Sequence, residues 1–578
     1  MNRNLFLVLF SASGFAALVY EIAWTRLFYL FLGTTTYAFS IVIASFLLGL
    51  SLGSYLVSKF QNFNSISQNF QNFNSINSTA QTFALVELLI AMTVLLLLPA
   101  FNSLDFAYLY LHSLFSSFEP FLSAQLVLVF SLLVLPASLM GMTFPLAVKL
   151  FSQEQTLGKD IGLLFSFNTA GGILGSLAAG FILIPFLGLV HAIAIAALLN
   201  IAIAVIVYKF YTNTNTNSNS YTEWRKLFLP IFAAAILLVA FIGFSFSIDT
   251  KAIGAYHGVS DLTPAAWQDL KSRSTTVFAK EGAYGFVTID ADNASPGLIA
   301  LKVNGKTDAS TEPVDVSVHL MLGYLPLLVH EKPDDVLHIG LGSGLTLMAT
   351  EHFAAAKRIT VVEINPDIVS AAQFLSNVNE NALGDPRVSL ILADARNYLL
   401  VNSTQYDLII SEPSDLWVSG EINLFTKEFY EIAKSRLKPG GIFVQWIPAY
   451  EFSTEETQIA LRTSATVFRH TQIFTVGPTY ILLHSNEPIN LNFTAIEGKI
   501  LSHQKVLYNL GKIARVHSLN SSGEKLLPAL YGGNEATLSG IGAVGLTLIN
   551  TDNWPLLEFR AAANNAYRPA NRFLGGGS

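Results

Sequence analysis

Three carboxylates stand at the ends of three short apolar segments, and such an arrangement can grip a polar ligand. Glu363 closes Ile359-Thr360-Val361-Val362, Asp394 follows Val388 to Leu392, and Glu412 follows Tyr406 to Ser411. Apolar, β-branched runs of this length read as strands buried on both faces of a parallel sheet, whose carboxyl ends border the ligand crevice. One loop acid is usually just solvated; three at successive strand ends converge on one pocket. Ahead of them Val336-Leu337-His338-Ile339 leads into Gly340-Leu341-Gly342-Ser343-Gly344, and a helix opens at Leu345. Glycines there let a ligand approach the backbone, and the helix start offers free N–H groups. Glu363 lies about 20 residues beyond the loop, where an acid accepts both ribose hydroxyls. The chemistry indicated is nucleoside binding beside acidic groups.

Holding these groups together requires a Rossmann-like α/β sheet. Helices are expected over Val314–Leu325, Pro366–Leu375 and Thr454–Phe468, a closing strand over Pro478–Leu483, and a segment docking back over Asn550–Arg560. From Thr275 to Ser310, VFAKEGAYGFVTID and GLIALKVNGK alternate in polarity and are broken by Asn-Ala-Ser-Pro-Gly and Asn304-Gly305 turns, which predicts the hairpins of a small β-subdomain.

Of 578 residues, 52% are hydrophobic and only 13% charged, against roughly 25% charged in soluble domains. Part of the chain therefore belongs in a lipid bilayer. The net charge of −7 is spread out, without a basic run, which argues against nucleic acid as a partner. The absence of cysteine excludes disulfides, thiolate metal sites and a cysteine nucleophile.

Runs long enough to cross a membrane, about 20 residues, occur at 4–24, 36–58, 82–101, 122–148, 161–186, 188–208 and 228–248. Leu104 to Phe118, short and carrying Asp105 and His112, is an eighth candidate, so seven or eight spans are expected. The pairs Gly49/Gly53 and Gly171/Gly175 have helix-packing spacing, and Asn168 reads as an interhelical hydrogen bond. Polar low-complexity stretches at 61–81 and 212–221 read as connections. The organisation expected is a transmembrane helical domain at 1–250, a linker and small β-subdomain at 251–310, a Rossmann-like catalytic domain at 311–490 and a C-terminal extension at 491–574. Gly575-Gly576-Gly577-Ser578 is a terminal linker without a part in the fold.

Several blocks of the soluble half carry a resemblance. Glu363-Ile364-Asn365-Pro366, Ala393-Asp394-Ala395, DLIISEPSD from Asp407 to Asp415 and LFTKEFY from Leu424 to Tyr430 resemble the signature blocks of the spermidine synthases, the polyamine aminopropyltransferases. EPSDLW with LFTKEFY, and NTDNWPLLEFRA from Asn550, are similar more narrowly to the membrane-fused branch of that family. The resemblance runs from Thr275 to Arg560 and extends more weakly through the N-terminal half. It implies a spermidine synthase or methyltransferase-type fold behind a multi-span helical domain. The implied substrate is S-adenosylmethionine or its decarboxylated form, the product methylthioadenosine, with no metal.

The resemblance also implies roles. Gly340, Gly342 and Gly344, with Ser343 among them, would face the nucleoside, Glu363 would take the ribose hydroxyls, and Asp394 beside Ala395 would face the adenine amino group. His319 falls where the family often has the His of a YHE motif, and Tyr284 joins it as a ligand contact. Glu412 stands where the family has its catalytic aspartate, and Asp415 where it has an acid gripping the attacking amine. Ser343 replaces an acidic loop residue, Asp315 alone replaces an Asp-Glu pair, and Gly285 replaces a glutamine. A polyamine prefers a row of carboxylates, so these departures leave the acceptor open. Serine at 343 also removes the charge that would repel the carboxylate of intact S-adenosylmethionine.

Two other readings fit the same residues: an S-adenosylmethionine-dependent methyltransferase, and a transporter with a nucleoside-sensing domain. Oligomeric state is left open. In the bacterial inner membrane, seven spans put Lys59, Lys149, Lys159, Lys209, Arg225 and Lys226 on the face of the N-terminus, which positive-inside makes cytoplasmic. The catalytic domain would then lie outside. Because S-adenosylmethionine is kept in the cytosol, the expectation is nevertheless a cytosolic domain, with Leu104–Phe118 changing the parity.

Overall fold

The structure is a computed structural model that describes residues 2–63, 76–212, 219–243, 254, 256, 263–414, 418, 420–451, 453–519, 522–534 and 548–566. Asp415, residues 575–578 and much of the expected connections at 61–81 and 212–221 lie outside the described residues. The chain divides into two compact units, one formed chiefly by residues up to Ala255 and the other by those from Tyr256 on.

The first unit is helical: α1 (Arg3–Leu32), α2 (Thr36–Phe63), α3 (Ile76–Phe101), α4 (Leu104–Leu114), α5 (Phe118–Phe151), α6 (Leu157–Ala178), α7 (Ile184–Leu187), α8 (Leu189–Thr212) and α9 (Asn219–Leu238). A π-turn over Ala179–Leu183 joins α6 to α7, and another over Val239–Gly243 prolongs α9. By length and composition, six helices among the described residues are able to cross a membrane: Arg3–Leu32, Thr36–Lys59, Thr79–Phe101, Phe118–Phe151, Glu154–Leu187 and Leu189–Phe210. The expected span at 228–248 is helical as far as Gly243, and its remainder lies outside the described residues. The candidate at 104–118 is corrected: α4 has 11 residues, about 16 Å at 1.5 Å per residue, half of a hydrocarbon core.

Small residues bring these helices together. A Cβ on Gly49 or Gly53 would collide with Ala137 or Ser138 of α5, and one on Gly171 or Gly175 with the backbone of Ser11 or Phe15 of α1. Asn168 backs directly on Gly14. The fully buried Glu87 of α3, which the sequence reading passed over, accepts from Ser13 Oγ of α1 at 2.7 Å and from Asn200 Nδ2 of α8 at 2.5 Å. Tyr20 donates in turn to Asn200 Oδ1 at 2.7 Å. An intramembrane carboxyl needs such partners.

The second unit begins with α10 (Pro264–Arg273) and the meander β1 (Ser274–Gly282), β2 (Gly285–Asp292), β3 (Ile299–Val303) and β4 (Lys306–Ser310), paired in that order. Asn304 and Gly305, both at positive φ, form the β3–β4 turn. There follow α11 (Pro313–Val329), β5 (Asp335–Ile339), α12 (Leu345–Glu351), β6 (Arg358–Glu363), α13 (Pro366–Phe374), β7 (Val388–Leu392), α14 (Ala395–Val401), β8 (Tyr406–Ser411), α15 (Lys427–Ser435), β9 (Leu437–Pro448), α16 (Thr454–Ala465), β10 (His470–Val476), β11 (Thr479–Ser485), α17 (Phe493–Ser502), α18 (Gln504–Val516), α19 (Leu526–Leu530), β12 (Tyr531–Asn534) and α20 (Leu556–Ala566).

The large sheet has the order β12-β10-β11-β9-β8-β5-β6-β7. Its β9-β8-β5-β6-β7 portion is parallel, and β11, β10 and β12 are added antiparallel. Strand β5 shows why its residues are apolar throughout: Val336 packs in the cluster of Leu325 and Met348, whereas Leu337 and Ile339 face Leu399, Phe429 and Tyr430. Both faces are covered by helices, as period-2 alternation requires. Asn365, Asp394 and Thr426 cap the helices after them, and Ser453 with Glu456 forms a capping box on α16. The expected closing strand is β11, but β10 and β12 extend the sheet beyond it. The docking segment is real: the fully buried Asn550 donates its N–H to Thr463 Oγ1 and its Nδ2 to the Phe425 carbonyl.

Candidate functional site

The site is assembled at the carboxyl edge of β6, β5 and β8. Parallel register pairs Ile339 with both Val362 and Ser411, and Glu363 with Leu392, so the residues leaving these strands share one edge. Glu363 and Glu412 leave strands two apart, about 10 Å by strand spacing. Between them lies the glycine loop, where Gly340, Gly342 and Gly344 all adopt positive φ, at 89°, 53° and 81°. The three differ in their surroundings. A Cβ on Gly340 would stand 2.8 Å from the Glu412 carbonyl oxygen, and one on Gly344 2.8 Å from Asn379 Nδ2, but one on Gly342 would meet nothing within 4 Å. Gly342 is thus the open part of the cradle. The buried Asn379, another residue that the sequence reading missed, braces the loop by donating to the Ser343 carbonyl at 2.7 Å. Ser343 itself is 5% exposed, and its hydroxyl has no hydrogen-bond partner among the described residues.

Glu363 accepts from the N–H of Leu341 at 2.9 Å and of Asn365 at 2.8 Å, which locks it against the loop. Burial raises its pKa in spite of these donors. Asp394 caps α14, taking the Asn397 N–H at 2.7 Å, with Ala395 as the first residue of that helix. Tyr284 is 51% exposed in the β1–β2 turn.

The densest chemistry surrounds His319 of α11. Its Nδ1 is 2.5 Å from Glu412 Oε1, and its Nε2 is 3.6 Å from Asp315 Oδ1. Burial opposes charge on this imidazole, but Glu412 and Asp315 outweigh it and hold the pKa well above the ordinary value. The two carboxylates thus favour the protonated form of His319. Burial likewise works to raise the pKa of Asp315, and the charge of His319 with the hydrogen bonds from Ser310 brings it down instead. The outcome is two carboxylates bridged by one cation.

A second charged group was not anticipated. Lys306, whose side chain is only 4% exposed, lies 2.6 Å from Asp308 Oδ1 and donates to Ser414 Oγ at 2.9 Å. Ser414 in turn donates to Asp308 Oδ1 at 2.7 Å. The half-buried Glu421 belongs to the same neighbourhood: burial, then the charges of Asp308 and Glu363, push its carboxyl up to about 7. The one signal in the sequence was the i, i+2 spacing of Lys306 and Asp308 directly after a turn, which puts both on one face of a strand.

Comparisons with known proteins bear on these residues. Residues 315–485 match the family model described as spermine/spermidine synthase domain. A polyamine aminopropyltransferase of Escherichia fergusonii is 40% identical over 136 residues, 23% of this chain and 47% of that protein. One from Klebsiella pneumoniae is 35% identical over 173 residues, 30% of this chain and 60% of that protein. The chain thus spans about half the length of these curated relatives. A solved spermidine synthase from Thermotoga maritima aligns over 46% of this chain and 87% of its own, with 19% identity and a TM-score of 0.36.

Proposed function

We propose that this chain, whose residues 315–485 form a spermine/spermidine synthase domain, is an integral-membrane aminopropyltransferase-like enzyme. It takes S-adenosylmethionine or the decarboxylated form and releases methylthioadenosine. The reading rests on one observation above all: the 2.5 Å pair of Glu412 with His319, next to a glycine loop braced by Glu363.

In this reading the nucleoside lies over the open face of Gly342, Glu363 takes the ribose hydroxyls and Asp394 with Ala395 faces the adenine edge. Tyr284 closes over the ligand, and Asp415 grips an incoming amine. The sulfonium is already a good leaving group, so alignment and proton removal suffice. The nucleophile attacks the arm carbon bonded to sulfur, the C–S bond breaks, and its electron pair stays on sulfur as a neutral thioether. An amine acceptor gives its proton to Glu412. If the nucleophile is the donor's own carboxylate, no proton moves and a lactone is released. Loss of the loop acid at Ser343 favours intact S-adenosylmethionine at least equally with the decarboxylated form, since two like charges a few ångströms apart cost about 4 kcal/mol at an effective dielectric near 20. The long apolar helices hold the enzyme in a membrane, in this reading the bacterial inner membrane.

Incubating the detergent-solubilised protein with S-adenosylmethionine alone, and with the decarboxylated donor plus putrescine, tests the proposal. Methylthioadenosine is the expected product. S-Adenosylhomocysteine instead would make it a methyltransferase, and binding of methylthioadenosine without any turnover would leave a sensor.

A further inference from the structure

We propose that Lys306 is the acceptor-selecting residue of this site: it neutralises Asp308 from within and so excludes a diamine in favour of a nucleophile without a second positive charge. The inference rests on the aminopropyltransferase reading above and concerns which acceptor that chemistry uses.

The argument is one of charge at close quarters. Around the edge of β8 stand Glu412, Asp315 and Asp308, with Glu421 nearby, enough carboxylates to receive a diamine. Each of the first three is already engaged by a cation that belongs to the protein. His319 lies between Glu412 and Asp315, and Lys306 lies on Asp308 at 2.6 Å. Lys306, Asp308 and Ser414 close a ring in which the ammonium donates to both oxygens and the hydroxyl donates to the carboxylate. Ser414 lies two residues after Glu412, so the ring borders the proposed base. A lysine whose side chain is 4% exposed has lost most of its water, and such a group needs a close carboxylate partner. Its charge also reaches Glu421, where it opposes Asp308 and Glu363. With Asp308 engaged by Lys306 and Glu412 by His319, fewer carboxylates remain free to receive the second ammonium of a diamine. Two ammonium groups on an acceptor would face Lys306 in a region of low dielectric, where like charges repel strongly.

The test compares kcat/KM for putrescine with the decarboxylated donor, and methylthioadenosine formation from S-adenosylmethionine alone, in wild type, Lys306→Gln and Asp308→Asn. Lys306→Gln keeps a donor for Ser414 and releases the Asp308 charge, so putrescine use rises at least about tenfold relative to the amine-independent reaction. Asp308→Asn removes the carboxylate that Lys306 meets at 2.6 Å, so the same ratio falls. A merely structural ring would lower the activity of both variants in the same direction, and that result, or wild type already preferring putrescine, overturns the role of Lys306. Methylthioadenosine binding by calorimetry separates the two levels of the argument. Wild type that neither binds methylthioadenosine nor makes it brings down the enzymatic reading itself, whereas retained binding with an unchanged ratio in both variants brings down the selector alone.

Discussion

Glu412 and His319, 93 residues apart in the chain, meet at 2.5 Å on the carboxyl edge of the sheet. The glutamate side chain reaches the His319 ring from the end of β8. We expect Glu412→Gln to bind methylthioadenosine within about twofold of wild type and to turn over an added amine at least about 100-fold more slowly, the scale of a lost general base. A single-turnover assay with the decarboxylated donor measures this. Unchanged turnover there would remove Glu412 from the mechanism.

His319 and Glu421 should each make a contribution to stability that falls as the pH rises, while the buried His338 and His484, whose pKa values burial lowers to about 3, contribute in the opposite sense. The folded pKa of His319 is raised, so its contribution is fully present below its unfolded value near 6.5 and lost as pH climbs through the raised one. Glu421, pushed up to about 7, adds in the same direction: its proton stabilises the fold below about 4.5, and that stabilisation is lost between 4.5 and about 7. Denaturant unfolding of the detergent-solubilised wild type and Glu421→Gln at pH 5 and pH 8 separates the Glu421 share from those of the other groups. Glu421→Gln should shift the difference between the two pH values by roughly 1 kcal/mol after solvent screening, in favour of pH 8, and an unchanged difference would contradict the Glu421 assignment.

The two glycines that flank Ser343 should separate folding from binding. Alanine at either position meets a positive φ, a strain of about 1–2 kcal/mol. At Gly344 it also crowds Asn379, whereas at Gly342 it projects into open space. Gly344→Ala should therefore lose more stability than Gly342→Ala. The latter should lose at least about tenfold in methylthioadenosine affinity. Equal affinity losses at equal stability would mean that the nucleoside does not lie over Gly342.

Membrane sidedness depends on α9. The six helices able to cross are an even number, which returns the chain to the face of Lys59, Lys149, Lys159 and Lys209 without a crossing by the 11-residue α4, and positive-inside makes that face cytoplasmic. The apolar stretch of α9, Phe228–Phe241, falls short of these six in length, and a crossing by it would reverse the parity. We expect the catalytic domain to be protected from added protease in intact spheroplasts. Cleavage there would mean that α9 crosses, and would overturn the cytosolic expectation.

What was legible in the sequence followed from local rules. The β5 strand, the turn at Gly340 to Gly344 and the helix from Leu345 were readable because one run of apolar residues, one set of positive-φ glycines and one helix start are each specified within a few residues. The strand-end acids Glu363 and Glu412 were readable because strand lengths fix where a strand must stop. Lys306 with Asp308 was not, since the pair acquires its partner Ser414 only through the docking of two sheets. His319 drew attention by its position, and Asp315 lies four residues before it on α11, but Glu412 reaches it only from the end of β8. Strands β10 and β12, with ordinary mixed sequences, depend on edges offered by their neighbours, β11 for β10 and β10 for β12. Glu87 was passed over because one acid hardly alters the hydropathy of a long apolar run.

That same Glu87 imposes a timetable on synthesis. Ser13 has already been made when Glu87 leaves the ribosome, but Asn200 follows 113 residues later, an interval of roughly 6 to 23 s at common elongation rates. Until α8 is threaded into the bilayer, the carboxyl of α3 has only half of its hydrogen bonds, and the early helices cannot settle as a finished bundle. Completion of the membrane half is thereby coupled to the arrival of its last long apolar helix, and a chain cut short before Asn200 would present to the quality-control machinery a polar defect that no lipid can repair.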